Sequence, residues 1–262
     1  MTNTSFKIPI NITFIGTATA ILEINGSNFL TDPFFSPAGR MWDMGVAILK
    51  VSDDPGLQMN QLPPIDAVLL SHEDHPDNLD DFGRQLLDGR RVFTTQDGAK
   101  NLAPRPGVVG MSPWETKPLD LNGQRYEITA TPCMHMPGGE CTGFVITAPE
   151  FGQTDGLPNA IWFSGDTVYI EELRDIGNKF HVTVAIMNIG GAKGPGDIPL
   201  TIDGKDASRI FKEIGADVLV PMHYDSWGHF TENGEALLKA FGQSGIAERV
   251  CWLELGKKTK VL

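Results

Sequence analysis

Cysteine is scarce in this chain of 262 residues: Cys133, Cys141 and Cys251 are the only three, and no C-x-x-C pair occurs. An odd count without a secretory signal argues against a disulfide framework and for reduced thiols. Positive charge is also short, with 21 Lys+Arg against 33 Asp+Glu and a formal net charge of −12. Such a balance repels phosphate backbones, so neither nucleic acid nor an anionic membrane is expected as a general partner. No apolar run approaches the roughly 20 residues of a membrane span. The first residues, "MTNTSFKIPINITFIG", lack the basic segment and apolar stretch of an export signal. These absences lead us to expect a cytoplasmic protein. Polar linkers, short repeats and low-complexity tracts are missing as well. A single domain over residues 1–262 is therefore expected, with apolar content, at 41%, ample for a core.

What is present is an alternation of strands and helices. "ITFIG" (12–16), "AILEI" (20–24) and "NFLTD" (28–32) read as strands. Asn25-Gly26 and Asn122-Gly123 mark hairpins, because both residues tolerate positive φ. "IDAVLLS" (65–71) is apolar throughout, as a strand buried on both faces would be. Leu79, Phe82, Leu86 and Leu87 then recur at helical spacing, with Asp77 or Asn78 placed to cap and Gly89 to terminate. Ala207, Ile210, Phe211 and Ile214 repeat that pattern up to Gly215, and a third helix is expected near 235–241. Later strands are expected at "GFVITA" (143–148), "AIWFSG" (160–165), "VTVAIMNIG" (182–190) and "DVLVPMH" (217–223). The polar "PEFGQTDGLPN" fits a long hairpin. The pattern by itself implies a mixed α/β domain.

The six histidines are not scattered. His72 and His75 follow "AVLL", His135 follows "YEITATPCM", and His223 follows "VLVPM". Asp166 occupies the equivalent place after "AIWF". Strand ends in an open sheet are where ligands gather, and imidazoles with carboxylates delivered to one edge are what a divalent metal requires. His181 reads as structural. Glu73 and Asp74 read as solvated or supporting groups, and Cys133 as a small packing group.

In order along the chain, "TFIGTATAILEINGSNFLTDPFF", "SHEDHPDNLD", "TPCMH", "FSGDT", "IGG" at 189–191 and "VPMHYD" resemble the metallo-β-lactamase superfamily. The likeness covers most of the chain. Within the superfamily they resemble the L-ascorbate-6-phosphate lactonase-like metal-dependent hydrolases, and they share features with the N-acyl-phosphatidylethanolamine phospholipase D-like branch. The resemblance implies an αββα sandwich, two mixed β-sheets flanked by helices. The family loop reads H-x-H-x-D-H. Anchored on Leu79-Asp80, it makes His75 the second histidine, Asp77 the aspartate and Asn78 a replacement for the last histidine, with one extra residue after His72. The other alignment takes Asp74-His75 as the Asp-His pair. On the first, the resemblance implies that His72, His75 and His135 hold one metal, and that Asp77, His223 and a bridging Asp166 hold a second.

One or two divalent ions, Zn²⁺ or Mn²⁺, are implied. Such an ion lowers the pKa of bound water to about 7, which makes hydroxide available at neutral pH. Asp77 would steer a proton, Asp166 would bridge, and His229 would donate to an oxyanion or leaving group. Tyr224, Gly191 and Lys193 are the expected substrate contacts, and Trp42 a pocket wall. The expected activity is hydrolysis of an ester-type bond, a lactone or a phosphoester, in a small anionic molecule. The alternatives are a phosphodiesterase or phospholipase-type hydrolase, and an inactive metal-binding sensor with Asn78 as its first sign. A homo-oligomer is left open.

Overall fold

In the computed structural model, residues 6–45, 48–136 and 139–262 are described. The first half contains β1 (Ile10–Gly16), β2 (Thr19–Ile24), β3 (Ser27–Thr31), β4 (Met41–Asp43), β5 (Ile48–Lys50) and β6 (Ala67–Leu69). It continues with α1 (Asp81–Leu86), β7 (Arg91–Thr95), α2 (Gln96–Asn101), β8 (Val108–Met111), β9 (Thr116–Leu121) and β10 (Gln124–Thr131). The second half contains β11 (Gly143–Thr147), β12 (Gln153–Thr154), β13 (Leu157–Phe163), α3 (Arg174–Lys179) and β14 (His181–Asn188). Then come α4 (Gly204–Glu213), β15 (Val218–Met222), α5 (Gly234–Gln243) and β16 (Lys258–Lys260).

These form two mixed sheets, ordered β16-β1-β2-β3-β6-β7-β8 and β15-β14-β13-β11-β10-β9, with β12 on β13. The small β4–β5 ribbon stands apart. The α/β class and the two-sheet architecture are as expected from the sequence. Both Asn-Gly pairs turn as read: Asn25 and Gly26 have φ of 50° and 81°, and Asn122 and Gly123 have 51° and 78°. Positive φ at both central positions matches the twist of a two-residue hairpin.

Packing explains the apolar runs. One core lies between the sheets and draws on Ile12, Leu22 and Leu69 from one and Ile128, Phe163 and Ile186 from the other. The next strand positions point outward. Ala185 and Met187 meet Phe211 of α4 and Leu237 and Phe241 of α5, while Val68 and Leu70 meet Leu86 and Leu87 around α1. Strands buried on both faces cannot alternate with polar residues, so they read as continuous apolar segments. Each such Ile or Phe contributes roughly 1.5–3 kcal/mol when fully buried. These layers, rather than the loops at the sheet edge, hold the molecule together.

Two local readings need correction. The cap of α1 is Asp80, whose carboxylate accepts from Gly83 N at 2.7 Å while its other oxygen accepts from Ser36 Oγ and Phe35 N. Asp77 and Asn78 precede the helix and are buried elsewhere. The strand read at 65–71 is shorter, β6 covering Ala67–Leu69, because Ser71 turns its amide onto Asp32 at 2.6 Å.

Candidate metal centre

The loops after β3, β6, β10, β13, β14 and β15 all leave the carboxyl ends of their strands, and they meet at one edge. There His72, His75 and His135 form one group and Asp77, Asp166 and His223 another. In each group the potential donor atoms lie within 4.8 Å of one another.

In the histidine group, His72 Nε2 is 2.8 Å from His75 Nδ1, and His135 Nε2 is 3.1 Å from that same atom. The far nitrogens are engaged. His135 Nδ1 lies 2.7 Å from the Leu200 carbonyl, which can only accept, so the proton sits on Nδ1 and Nε2 keeps a free lone pair. His72 Nδ1 is 2.8 Å from Ser71 Oγ, and that hydroxyl donates to Asp32 Oδ2 at 2.8 Å. His72 therefore donates from Nδ1 as well. Burial, then the neighbouring charge of His135, lowers the His72 pKa to about 3. At neutral pH it is an uncharged imidazole with its lone pair facing inward, the form a metal binds.

The carboxylate group is buried throughout. His223 Nδ1 is 3.2 Å from Asp166 Oδ1, and His223 Nε2 is 3.5 Å from Asp77 Oδ2. Asn188 Nδ2 anchors Asp166 Oδ1 at 2.7 Å. Burial favours the neutral forms, but the charges win. Asp166 and Asp77 raise the His223 pKa to about 10, and His223 in turn holds both acids below the usual carboxylate range. His223 Nε2 has no hydrogen-bond partner among the described residues. A buried, orphaned nitrogen beside two ionised carboxylates, next to three converging imidazole nitrogens, fits a divalent cation.

Backbone strain gathers at the same edge. Thr17, Asp32, His223 and Ser226 have φ of 51°, 28°, 58° and 78°. Each left-handed non-glycine residue costs about 1–3 kcal/mol, and such residues concentrate at functional sites. His223 N donates to Thr17 O at 3.1 Å, and Thr17 Oγ1 to Asp77 O at 3.3 Å, so strained residues hold one another. Gly165 allows the Asp166 loop to approach. At its φ of +60°, a Cβ would lie 2.5 Å from Thr142 O and 2.8 Å from Ser71 Cβ.

Of the other expected site residues, His229 is brought close, its Nε2 3.9 Å from Asp77 Oδ2 and its Nδ1 buried without a hydrogen-bond partner among the described residues. Trp42, on β4, packs with Phe34 and Trp227, ring centroids 5.8 and 5.7 Å away. With Met44, Asp74, His75 and Arg84 it lines a cavity of about 260 Å³. Tyr224 is not brought in. Its ring packs instead on Trp252, the ring centroids 5.9 Å apart. The amide of Gly191, an expected substrate contact, donates to Ile202 O at 3.0 Å, as does that of Gly190 at 3.1 Å. Lys193 is exposed on the loop whose Leu200 carbonyl holds His135. Glu73 pairs with Arg84 at 3.0 Å and Asn101 at 2.7 Å, and His181 with Asp217 at 2.8 Å, both structural as expected. Asn78 does not join the carboxylate group. Its Nδ2 donates to Asp32 Oδ2 at 3.0 Å.

Sequence reasoning missed Asp32, Ser71, Asn188 and the Leu200 carbonyl. The signal for Asp32 was an acid before proline at the end of an apolar strand. Burial, then the charge of Asp166, raises its pKa to about 7 against the hydrogen bonds of Ser71 and Asn78.

The comparisons agree with this architecture. Residues 27–224 match the Beta-lactamase superfamily domain. The chain is 27% identical over 273 residues to a mitochondrial N-acyl-phosphatidylethanolamine-hydrolyzing phospholipase D of Saccharomyces cerevisiae, covering 97% of this chain but 57% of that protein. A UPF0173 metal-dependent hydrolase of Methanopyrus kandleri is 25% identical over 95% of this chain and 98% of its own length. The fold matches an isothiocyanate hydrolase from Delia radicum gut bacteria with a TM-score of 0.78 at 20% identity, over 95% and 98% of the two chains. The chain belongs to the beta-lactamase superfamily. In class it is a metal-dependent hydrolase of the metallo-β-lactamase fold. Among the described residues no helix is long and apolar enough to cross a membrane.

Proposed function

We propose that this chain hydrolyses an ester-type bond, a lactone or a phosphoester, in a small anionic substrate. His72, His75 and His135 hold one divalent ion, Zn²⁺ or Mn²⁺, and Asp77, Asp166 and His223 a second. The observation that carries this reading is the convergence of three inward-facing imidazole nitrogens beside a buried Asp-Asp-His group. The bound ions supply Lewis acidity and water ionised at about neutral pH.

The chain's own residues do the rest. Asp166, fastened by Asn188, keeps a carboxylate oriented between the two groups. Asp77, held ionised beside His223, accepts the proton of the attacking water. His229, whose pKa burial lowers, is neutral at pH 7 and offers a ring N–H to the oxyanion or leaving oxygen. Phe34, Trp42 and Trp227 exclude water on one side and receive an apolar part of the substrate. Lys193 adds a cation at the rim for an anionic substituent.

A phosphodiester is the second reading. It is favoured by the relative named as a phospholipase D, which matches nearly the whole chain. The likeness of "SHEDHPDNLD" and "FSGDT" to the lactonase-like branch supports the lactone. We treat residues 1–262 as one hydrolase domain acting on a small molecule in the cytoplasm, without a nucleic-acid or membrane partner. The three free thiols and the net charge of −12 support that assignment.

Elemental analysis of the purified protein, followed by assay on lactones, phosphomonoesters and phosphodiesters, tests the proposal. We expect bound divalent metal and turnover on at least one of these classes, lost in His135→Ala. Full metal occupancy with no hydrolysis on any panel, unchanged in His135→Ala, refutes catalysis and leaves a metal-binding sensor.

A further inference from the structure

Arg40 has no part in the hydrolytic reading, yet its guanidinium meets three side chains at once. Nη2 lies 2.9 Å from Asp81 Oδ2, and Cζ stands 5.5 Å from the Trp42 ring centroid and 5.9 Å from that of Phe82. Trp42 belongs to β4, whereas Asp81 and Phe82 open α1, the helix that follows the loop of His72, His75 and Asp77. The guanidinium therefore joins the β4–β5 ribbon to α1. Both elements line the cavity beside His75, the ribbon through Trp42 and Met44, the helix through Asp81 and Arg84.

The base of the ribbon is tied by main chain. Gly39 N donates to Val51 O at 2.8 Å, Val51 N to Arg40 O at 3.1 Å, and Ser52 N to Ser226 O at 2.9 Å. Val51 also forms an antiparallel bridge with Trp227. These bonds fix the ribbon to the loop after His223. Toward α1, Arg40 supplies the tie. Its ion pair is exposed, the Arg40 and Asp81 side chains by 38% and 74%, and such a pair contributes little. A guanidinium over an aromatic face shifts an equilibrium about two- to fivefold at an exposed site. Here one guanidinium serves two rings, so the aromatic contacts outweigh the carboxylate.

We propose that Arg40 is a positioning residue for the hydrolysis. It holds Trp42 toward α1, sets the span of the cavity beside His75, and so governs how tightly the part of the substrate packed on Trp42 is bound. Arg40 acts through that ring and not on the reacting bond. The placing of Trp42 stands on the contacts above, and only its effect on substrate rests on the hydrolytic reading.

The test compares the full-length parent with Arg40→Gln, Arg40→Lys and Asp81→Asn, each checked as folded by circular dichroism. Acrylamide quenching of tryptophan fluorescence should increase in Arg40→Gln, and that increase should vanish in a Trp42→Phe background. On whichever lactone, phosphomonoester or phosphodiester the parent turns over, Arg40→Gln should raise KM about two- to fivefold, with kcat within about twofold. Arg40→Lys keeps a cation for the rings and should recover part of the loss. Asp81→Asn should stay within about twofold of the parent in KM. Arg105→Gln takes an exposed cation from its pair with Asp88, so it controls for net charge and should match the parent. In a Trp42→Ala background, Arg40→Gln should add nothing to KM, because the two residues act as one unit. An unchanged KM in Arg40→Gln, or a rise of the same size without Trp42, overturns the proposal. Unchanged quenching overturns the placing of Trp42 by Arg40. A parent that hydrolyses none of these substrates defeats the hydrolytic reading, and quenching then decides the placing alone.

Discussion

The histidine group gathers three imidazoles from two loops and leaves His75 and His135 partly in reach of solvent, whereas the carboxylate group buries two acids and a histidine completely. In the first, burial and then the neighbouring charge of His135 keep His72 neutral. The second is kept charged by mutual attraction, with His223 raised to about 10 between Asp77 and Asp166. The same principle, favouring whichever form the neighbours can stabilise, prepares His72 to receive a cation without losing a proton and makes the carboxylate group exchange one for it.

The most direct way to break this pairing is Asp166→Ala, which removes the carboxylate nearest both groups. Turnover should fall more than about 100-fold, beyond the 10- to 100-fold that outer partners of a metal usually cost. Circular dichroism should remain close to the parent's, since the apolar layers are untouched. Retained activity on the eventual substrate would remove Asp166 from the mechanism.

The proton difference can be measured directly. Titration calorimetry in buffers of unequal ionisation enthalpy should show proton release for metal entering the carboxylate group at pH 7, and none from His72 in the other group. The apparent affinity of the carboxylate group should rise about tenfold per pH unit until pH approaches about 10. Equal proton counts would erase the contrast.

Metal-free stability should follow the same asymmetry. The His223 pKa is raised from 6.5 to about 10, so its contribution is complete below about pH 6.5 and is lost as pH climbs through about 10. Asp77 and Asp166 are depressed below 3.8, so theirs is present above that value and is lost as pH falls further. Thermal melts of metal-free protein across pH read both limbs.

On the histidine side, Ser71→Ala breaks the chain from Asp32 to His72 and should weaken metal binding about 10-fold, the lower end of such effects. Asn78→Ala should cost about 1–3 kcal/mol of stability, read as a urea midpoint, because Asp32 loses a buried donor. The smallest effect is expected from Trp42→Ala. It should raise KM by about 1 kcal/mol equivalent with kcat little changed, since a partly exposed ring contributes contact rather than chemistry.

Much of this was legible in the chain. Asn-Gly turns, doubly buried strands and helices ended by Gly89 and Gly215 are local signals, and the candidate metal-binding residues follow their strands directly. What was hidden is what the neighbouring loops decide. Nothing near Asn78 reveals that its amide goes to Asp32, 46 residues upstream. Tyr224 looked like a site residue by adjacency, yet the chain turns at His223, whose φ is 58°, and the Tyr224 ring packs on Trp252. The glycines at 190 and 191 suggested free amides until Ile202 was found accepting from both.

The hold on His135 by the Leu200 carbonyl has a further consequence. A main-chain oxygen is common to all twenty residue types, so position 200 can drift in sequence while its duty stays fixed. Relatives could then differ there freely and still aim the imidazole alike, and only a change in the length or path of the segment would disturb it. Function at that point is written in loop geometry rather than in the alphabet of side chains.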